Sequence, residues 1–162
     1  MNYLIELILK LGKVDRRWIF LIIGLVVLLP LIYPISLPIR ATVTTKQVYD
    51  TVDALEPNSK ILLSCEYGPS TKPEIHPMVT SVLRHLFRNG HKVYVVCLWP
   101  DGKFMAEEAL DEVAVDEFGL TYGTDYVLLG FRPGNEAVVK GIVSDIRKLY
   151  TIDSKGTKVT DI

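Results

Sequence analysis

The chain has 162 residues, 49% of them apolar and 23% charged, with a formal net charge of −1. Residues 1–40 carry five basic and two acidic side chains, +3, whereas residues 41–162 carry 13 basic and 17 acidic, −4. An acidic domain without a basic stripe argues against nucleic acid as a partner, and two cysteines exclude a disulfide framework or a cysteine-rich zinc site.

Residues 1–14 open with an apolar run in which Leu4, Ile5, Leu7, Ile8, Leu9 and Leu11 leave only a narrow polar side at Glu6 and Lys10. Gly12 is a natural stop. This pattern predicts a short amphipathic helix lying in the cytoplasmic interface of a membrane, or docked on a neighbouring membrane subunit. Residues 15–40 read as a transmembrane anchor with a proline-rich exit. Trp18 to Ile39 carry no formal charge and are bracketed by Arg17 and Arg40. Asp15 is placed to cap the helix start, and Trp18 and Tyr33 suit the two interfaces. Pro30, Pro34 and Pro38 recur every fourth residue, so the helix is expected to kink or end between Pro30 and Pro34. No small-x-small cleavage pattern follows, which favours an anchor over a cleaved signal peptide. Lys10, Lys13, Arg16 and Arg17 crowd the amino-terminal flank. The positive-inside rule then puts the N-terminus in the cytoplasm and residues 41–162 outside it. In a bacterium this is a single-pass protein of the inner (cytoplasmic) membrane with a periplasmic domain.

Residues 41–162 predict an α/β domain. A helix starts at Thr44, with Thr44 and Gln47 at capping-box spacing and Val48, Val52 and Leu55 on one face. Lys60–Cys65 is a short apolar run, read as a strand buried on both faces. After the polar loop Tyr67–Pro73, Val79, Val82, Leu83, Leu86 and Phe87 mark a helix starting between Pro73 and Pro77 and ending at Asn89-Gly90. Val93–Trp99 is a second buried strand. Met105, Ala109, Leu110, Val113 and Ala114 mark a helix reaching about Phe118, and Tyr126–Phe131 a third strand. Asn135 is placed to cap a last helix that turns Val138, Ile142, Ile146 and Leu149 inward. Strands alternating with helices require parallel pairing and right-handed crossovers, giving a small Rossmann-like three-layer sandwich. Lys158-Val159-Thr160 is a candidate start of a fourth strand. The sheet is then either truncated, as the N-terminal part of a longer protein, or completed by another subunit.

In such a sheet ligands sit beyond the carboxyl ends of the strands. The loops there are Glu66–Pro73, Trp99–Lys103 and Arg132–Asn135, with Glu66, Tyr67 and Asp101 among their polar residues. Ser70, Thr71 and Lys72 can offer hydroxyls and an ammonium to an anion near a helix start, although the run is neither GxGxxG nor GxxxxGK[ST]. Arg132 can clamp a carboxylate or phosphate, with Asn135 beside it. Each loop reads first as a plain turn or helix cap, with Arg132 in a surface ion pair. No GxSxG is present. His85 and His91 read as solvated and His76 as a capping or loop residue, with no metal-ligand spacing among them or with the cysteines. Cys65 and Cys97 end consecutive strands and read as small buried hydrophobes, with a disulfide as the alternative. Glu107, Glu108, Asp111, Glu112, Asp116 and Glu117 make the third helix acidic on a side read as solvated or facing a basic partner.

The runs VDRRWIFLIIGLVVLLP, YGPSTKPEIHPM, LRHLFRNGHKVYVVCLWP and YGTDYVLLGFRPGNEAV resemble an uncharacterised family of bacterial membrane-anchored Rossmann-like α/β proteins. The resemblance extends over nearly the whole chain, and the family's members continue past the point matching Ile162. It implies the anchored α/β architecture and carries no established activity, catalytic residue or cofactor. The sequence therefore predicts a non-catalytic accessory or scaffold subunit of a larger membrane protein complex, with the lipid bilayer and other membrane subunits as partners. The alternative is a membrane-tethered binding domain or enzyme for a small anionic ligand at the strand-end loops.

Overall fold

The computed structural model of the chain describes residues 15–33 and 40–161. It divides into two compact units, one up to Thr42 and one from Val43 onward. The interfacial helix expected in residues 1–14 and the exit containing Pro34 and Pro38 lie outside the described residues.

Helix α1 spans Arg16–Ile32. Asp15 caps it as expected, accepting from the Arg17 amide at 3.0 Å. The helix passes through Pro30 and ends before Pro34, with the Tyr33 amide closing onto the Leu29 carbonyl. Its apolar side chains are exposed on every side. Seventeen residues reach about 26 Å at ~1.5 Å each, short of the ~30 Å hydrocarbon core. Among the described residues no helix is long and apolar enough to cross a membrane.

The second unit is the expected α/β fold. Helix α2 (Val43–Asp53) precedes strand β1 (Lys60–Ser64), helix α3 (Lys72–Arg88) and strand β2 (Lys92–Cys97). Helix α4 (Gly102–Leu110) runs on as a π-helical segment, Asp111–Glu117, before strand β3 (Tyr126–Phe131) and helix α5 (Asn135–Leu149). The strands are parallel in the order β1-β2-β3. Alternate residues of each strand face opposite layers. Val93, Val95, Cys97 and Leu128 pack on Leu83, Leu86 and Phe87 of α3, on Met105 and Ala109 of α4 and on Val113 of the π-helical segment. Val96, Val127 and Leu129 pack on the other side against Ile142, Ile146 and Leu149 of α5 and against Tyr150. Each fully buried aliphatic side chain contributes about 1.5–3 kcal/mol, so these two layers hold the unit together.

Several expectations are corrected. Strand β1 is not buried on both faces: it lies at the edge of the sheet, and its second face leaves Leu62 44% exposed. An apolar run reports hydrophobicity but not position in a sheet. Strand β2 stops at Cys97, two residues before Trp99. Helix α2 begins at Val43, so Thr44 lies inside its first turn and not at its cap. Helix α3 begins at Lys72, one residue earlier than expected, with Pro73 in its first turn where a missing amide costs nothing. Helix α5 breaks at Asp145, whose carboxylate accepts from the Arg147 and Lys148 amides and caps a separate last turn. No fourth strand forms among the described residues. Val159–Asp161 is a 3₁₀ turn, and Lys158 makes one antiparallel bridge to Ile152.

Candidate functional site

The carboxyl ends of the strands are tied together by polar groups. The Glu66 carboxylate accepts from the Leu98 amide at 2.8 and 3.0 Å and from the Ser64 hydroxyl, pinning the end of β1 to the chain leaving β2. Helix α4 starts so close to β1 that a Cβ on Gly102 would stand 2.3 Å from the Cys65 carbonyl oxygen. Only glycine fits there. Between Val95 and Val96 the register with β3 slips, so that Val95 pairs with Leu128 but Val96 with Gly130. This bulge is accompanied by a positive φ of 89° at Gly130, and it re-aims the end of β3.

A cavity of about 360 Å³ opens at that point, lined by Lys103, Leu129, Gly130, Arg132, Asp153 and Ser154 among others. Lys103 comes from the first turn of α4 and Arg132 from the residue after β3. Both side chains are half-buried. The Arg132 guanidinium lies 5.5 Å from the centroid of the Tyr150 ring, and its amide bonds the Cys97 carbonyl. Neither cation has a carboxylate partner among the described residues. The one acid on the cavity wall, Asp153, is 5% exposed. Its oxygens accept from the Lys155 and Thr157 amides and from the Tyr122 hydroxyl. The Lys155 ammonium sits 3.8 Å over the Tyr122 ring.

The residues singled out from the sequence are not gathered into one site. Ser70 is exposed at the turn before α3, and Thr71 closes its own turn, exchanging bonds with the Gly68 amide and carbonyl. The Lys72 ammonium is held by Glu108 on α4, on the opposite layer from the Tyr150 ring beneath Arg132. Asn135 is the first residue of α5 and not its cap, a place taken by Gly134, and its side chain lies outside the described residues. Of the four whose side chains are described, Arg132 alone lines the cavity at the end of β3. Lys103 lies in one of the loops expected to carry a ligand, and nothing local in the sequence distinguishes it from a surface lysine.

The histidines and acids also differ from their sequence reading. The acidic side of α4 is not merely solvated. Glu108 pairs with Lys72, Glu112 with His76 and Arg84, and Glu117 with Arg84, forming a polar seam between α3 and α4. Lysine and arginine hold the Glu108 and Glu117 carboxyls below their ordinary value. His76 lies inside this seam, with Nδ1 2.8 Å from the Tyr67 hydroxyl and Nε2 3.1 Å from Glu112. Burial above all pushes the Tyr67 phenol up, which favours its protonated form. His85 is half-buried, stacked on Tyr49 and bonded to Asp53. His91 is not solvated at all: it is 3% exposed, and neither ring nitrogen has a partner among the described residues. Cys65 and Cys97 are free and buried; burial above all pushes each thiol up to about 12. They are small core residues at neutral pH. Among the described residues no cluster of three or more His, Cys, Asp or Glu side chains forms a metal site.

No protein-family model, no characterised protein and no solved structure matches this chain.

Proposed function

We propose that this chain is a non-catalytic accessory or scaffold subunit of a larger membrane protein complex. In this reading the segment around α1 lies in the bilayer and the α/β unit lies on the extracytoplasmic side. The observation that carries it is α1 itself, whose large side chains, from Trp18 to Tyr33, are between 45% and 75% exposed. A helix that is apolar all round needs lipid or protein around it. Each such side chain forgoes about 1.5–3 kcal/mol when left in water. The shortness of α1 favours a subunit over a lone anchor, because packing against neighbouring helices covers apolar surface without requiring a full span. The basic residues Lys10, Lys13, Arg16 and Arg17 support a cytoplasmic N-terminus. The unpaired outer edge of β1 and its exposed Leu62 supply further surface for a partner. The charged groups of the seam between α3 and α4 are spent on one another, which suits a structural role for those helices.

The test is purification from membranes in mild detergent followed by native mass measurement. The expected result is a defined assembly containing at least one other membrane polypeptide in fixed ratio. A monodisperse single chain with no companion overturns the reading.

A further inference from the structure

We propose that the cavity between Lys103 and Arg132 is a binding site for a small oxyanion of the phosphate class. The inference does not rest on the subunit reading, since it concerns groups wholly inside the α/β unit.

The argument starts from charge. Two half-buried cations line one cavity, and neither meets a carboxylate among the described residues. Between α3 and α4, by contrast, Lys72 is paired with Glu108 and Arg84 with Glu112 and Glu117. Partial removal of a charge from water is unfavourable unless a counter-charge is supplied. Asp153 shares the wall but makes no ion pair with either cation, its oxygens accepting from two amides and the Tyr122 hydroxyl, so the wall keeps a net positive charge. The two cationic side chains can each donate to a different oxygen of one tetrahedral oxyanion.

Geometry points the same way. The Tyr150 ring beneath the guanidinium and the bond from the Arg132 amide to Cys97 hold the base of that side chain in place. Its planar fork is then free for the paired hydrogen bonds that oxyanions accept. Lys103 sits in the first turn of α4, where the helix field also favours negative charge. The bulge at Leu129–Gly130 opens the end of β3, where α/β sheets take their ligands. A volume of about 360 Å³ admits a phosphate with a small organic body.

The experiment uses the full chain in detergent, titrated with inorganic phosphate and with glycerol 3-phosphate at constant ionic strength. Backbone amide shifts and calorimetry are the readouts. The expected result is saturable binding with shifts at Lys103, Gly130–Arg132 and Ser154. Lys103→Gln should weaken it about tenfold, the loss of one charge-assisted hydrogen bond. Arg132→Lys, which keeps the charge but not the fork, should weaken it as well, and Lys72→Gln should leave it unchanged. A parallel arm presents vesicles of phosphatidylglycerol or of phosphatidylcholine. Binding of dissolved phosphate identifies a soluble ligand. Binding only to phosphatidylglycerol vesicles, lost in Lys103→Gln, identifies a lipid headgroup as the source. Absence of saturable binding in both arms, or equal binding by wild type and Lys103→Gln, overturns the proposal.

Discussion

Gly102 shows how one residue fixes the approach of an element. A Cβ there meets the Cys65 carbonyl oxygen at 2.3 Å, a backbone atom that cannot swing aside. We expect Gly102→Ala to destabilise the unit by about 1–3 kcal/mol, the range of a forced core overpacking, measured as a shift in denaturation midpoint at unchanged slope. Wild-type stability in that variant would mean that α4 approaches β1 less closely. The same residue scale explains why the cysteines carry no chemistry. Both are free and packed among Val93, Val95 and Met105, and the cost of ionising a buried thiol keeps them protonated. His91 and the Tyr150 hydroxyl are buried polar groups without partners among the described residues.

At the scale of elements, the seam between α3 and α4 depends on a change of helical period. Lys72, His76, Thr80 and Arg84 recur every fourth residue along one side of α3. On α4, Glu108 and Glu112 keep that period, but Glu117 lies five residues further on. In an α-helix at 3.6 residues per turn, residues five apart are rotated by about 140°. The π-helical segment Asp111–Glu117 lengthens the turn, brings Glu117 over Glu112, and lets one guanidinium reach both. The Glu108 and Glu117 carboxyls have lowered pKa values, chiefly through hydrogen bonds from Lys72 and Arg84. Their contribution is therefore present above the ordinary value of 4.5 and is lost as pH falls through the lower folded value. These groups are exposed and screened, so the effect is modest. Arg84→Met should lower the melting temperature at pH 7 and flatten its fall below pH 4.5. A variant that keeps the wild-type acid profile would show that the seam does not contribute to folding.

For the whole molecule the decisive contrast is between its two units. The α/β unit buries an apolar core, whereas α1 buries no side chain. If lipid or a membrane partner surrounds α1, a charge in its middle should cost about 2.5–3.5 kcal/mol of insertion. We therefore expect Val26→Lys to move the chain from the membrane fraction towards the soluble fraction, followed by carbonate extraction and immunoblot. Unchanged partition would mean that α1 is not what holds the chain there. The α/β unit should fold equally well in both, with the same far-ultraviolet spectrum for residues 43–161.

The sequence alone determined the order of elements in the second unit, because short apolar runs and apolar periods of 3.6 residues are local and survive without knowledge of the fold. It likewise determined the apolar character of α1, the Asp15 cap, and the inward side of α5. What it could not determine were relations between residues far apart in the chain. Lys72 is claimed by Glu108, and Lys103 meets Arg132 across one cavity, only because parallel pairing brings three strand ends side by side. The edge position of β1 and the burial of His91 were hidden for the same reason. A side chain's neighbours, and therefore its charge environment, are set by which elements pack together, and that is decided by tertiary structure.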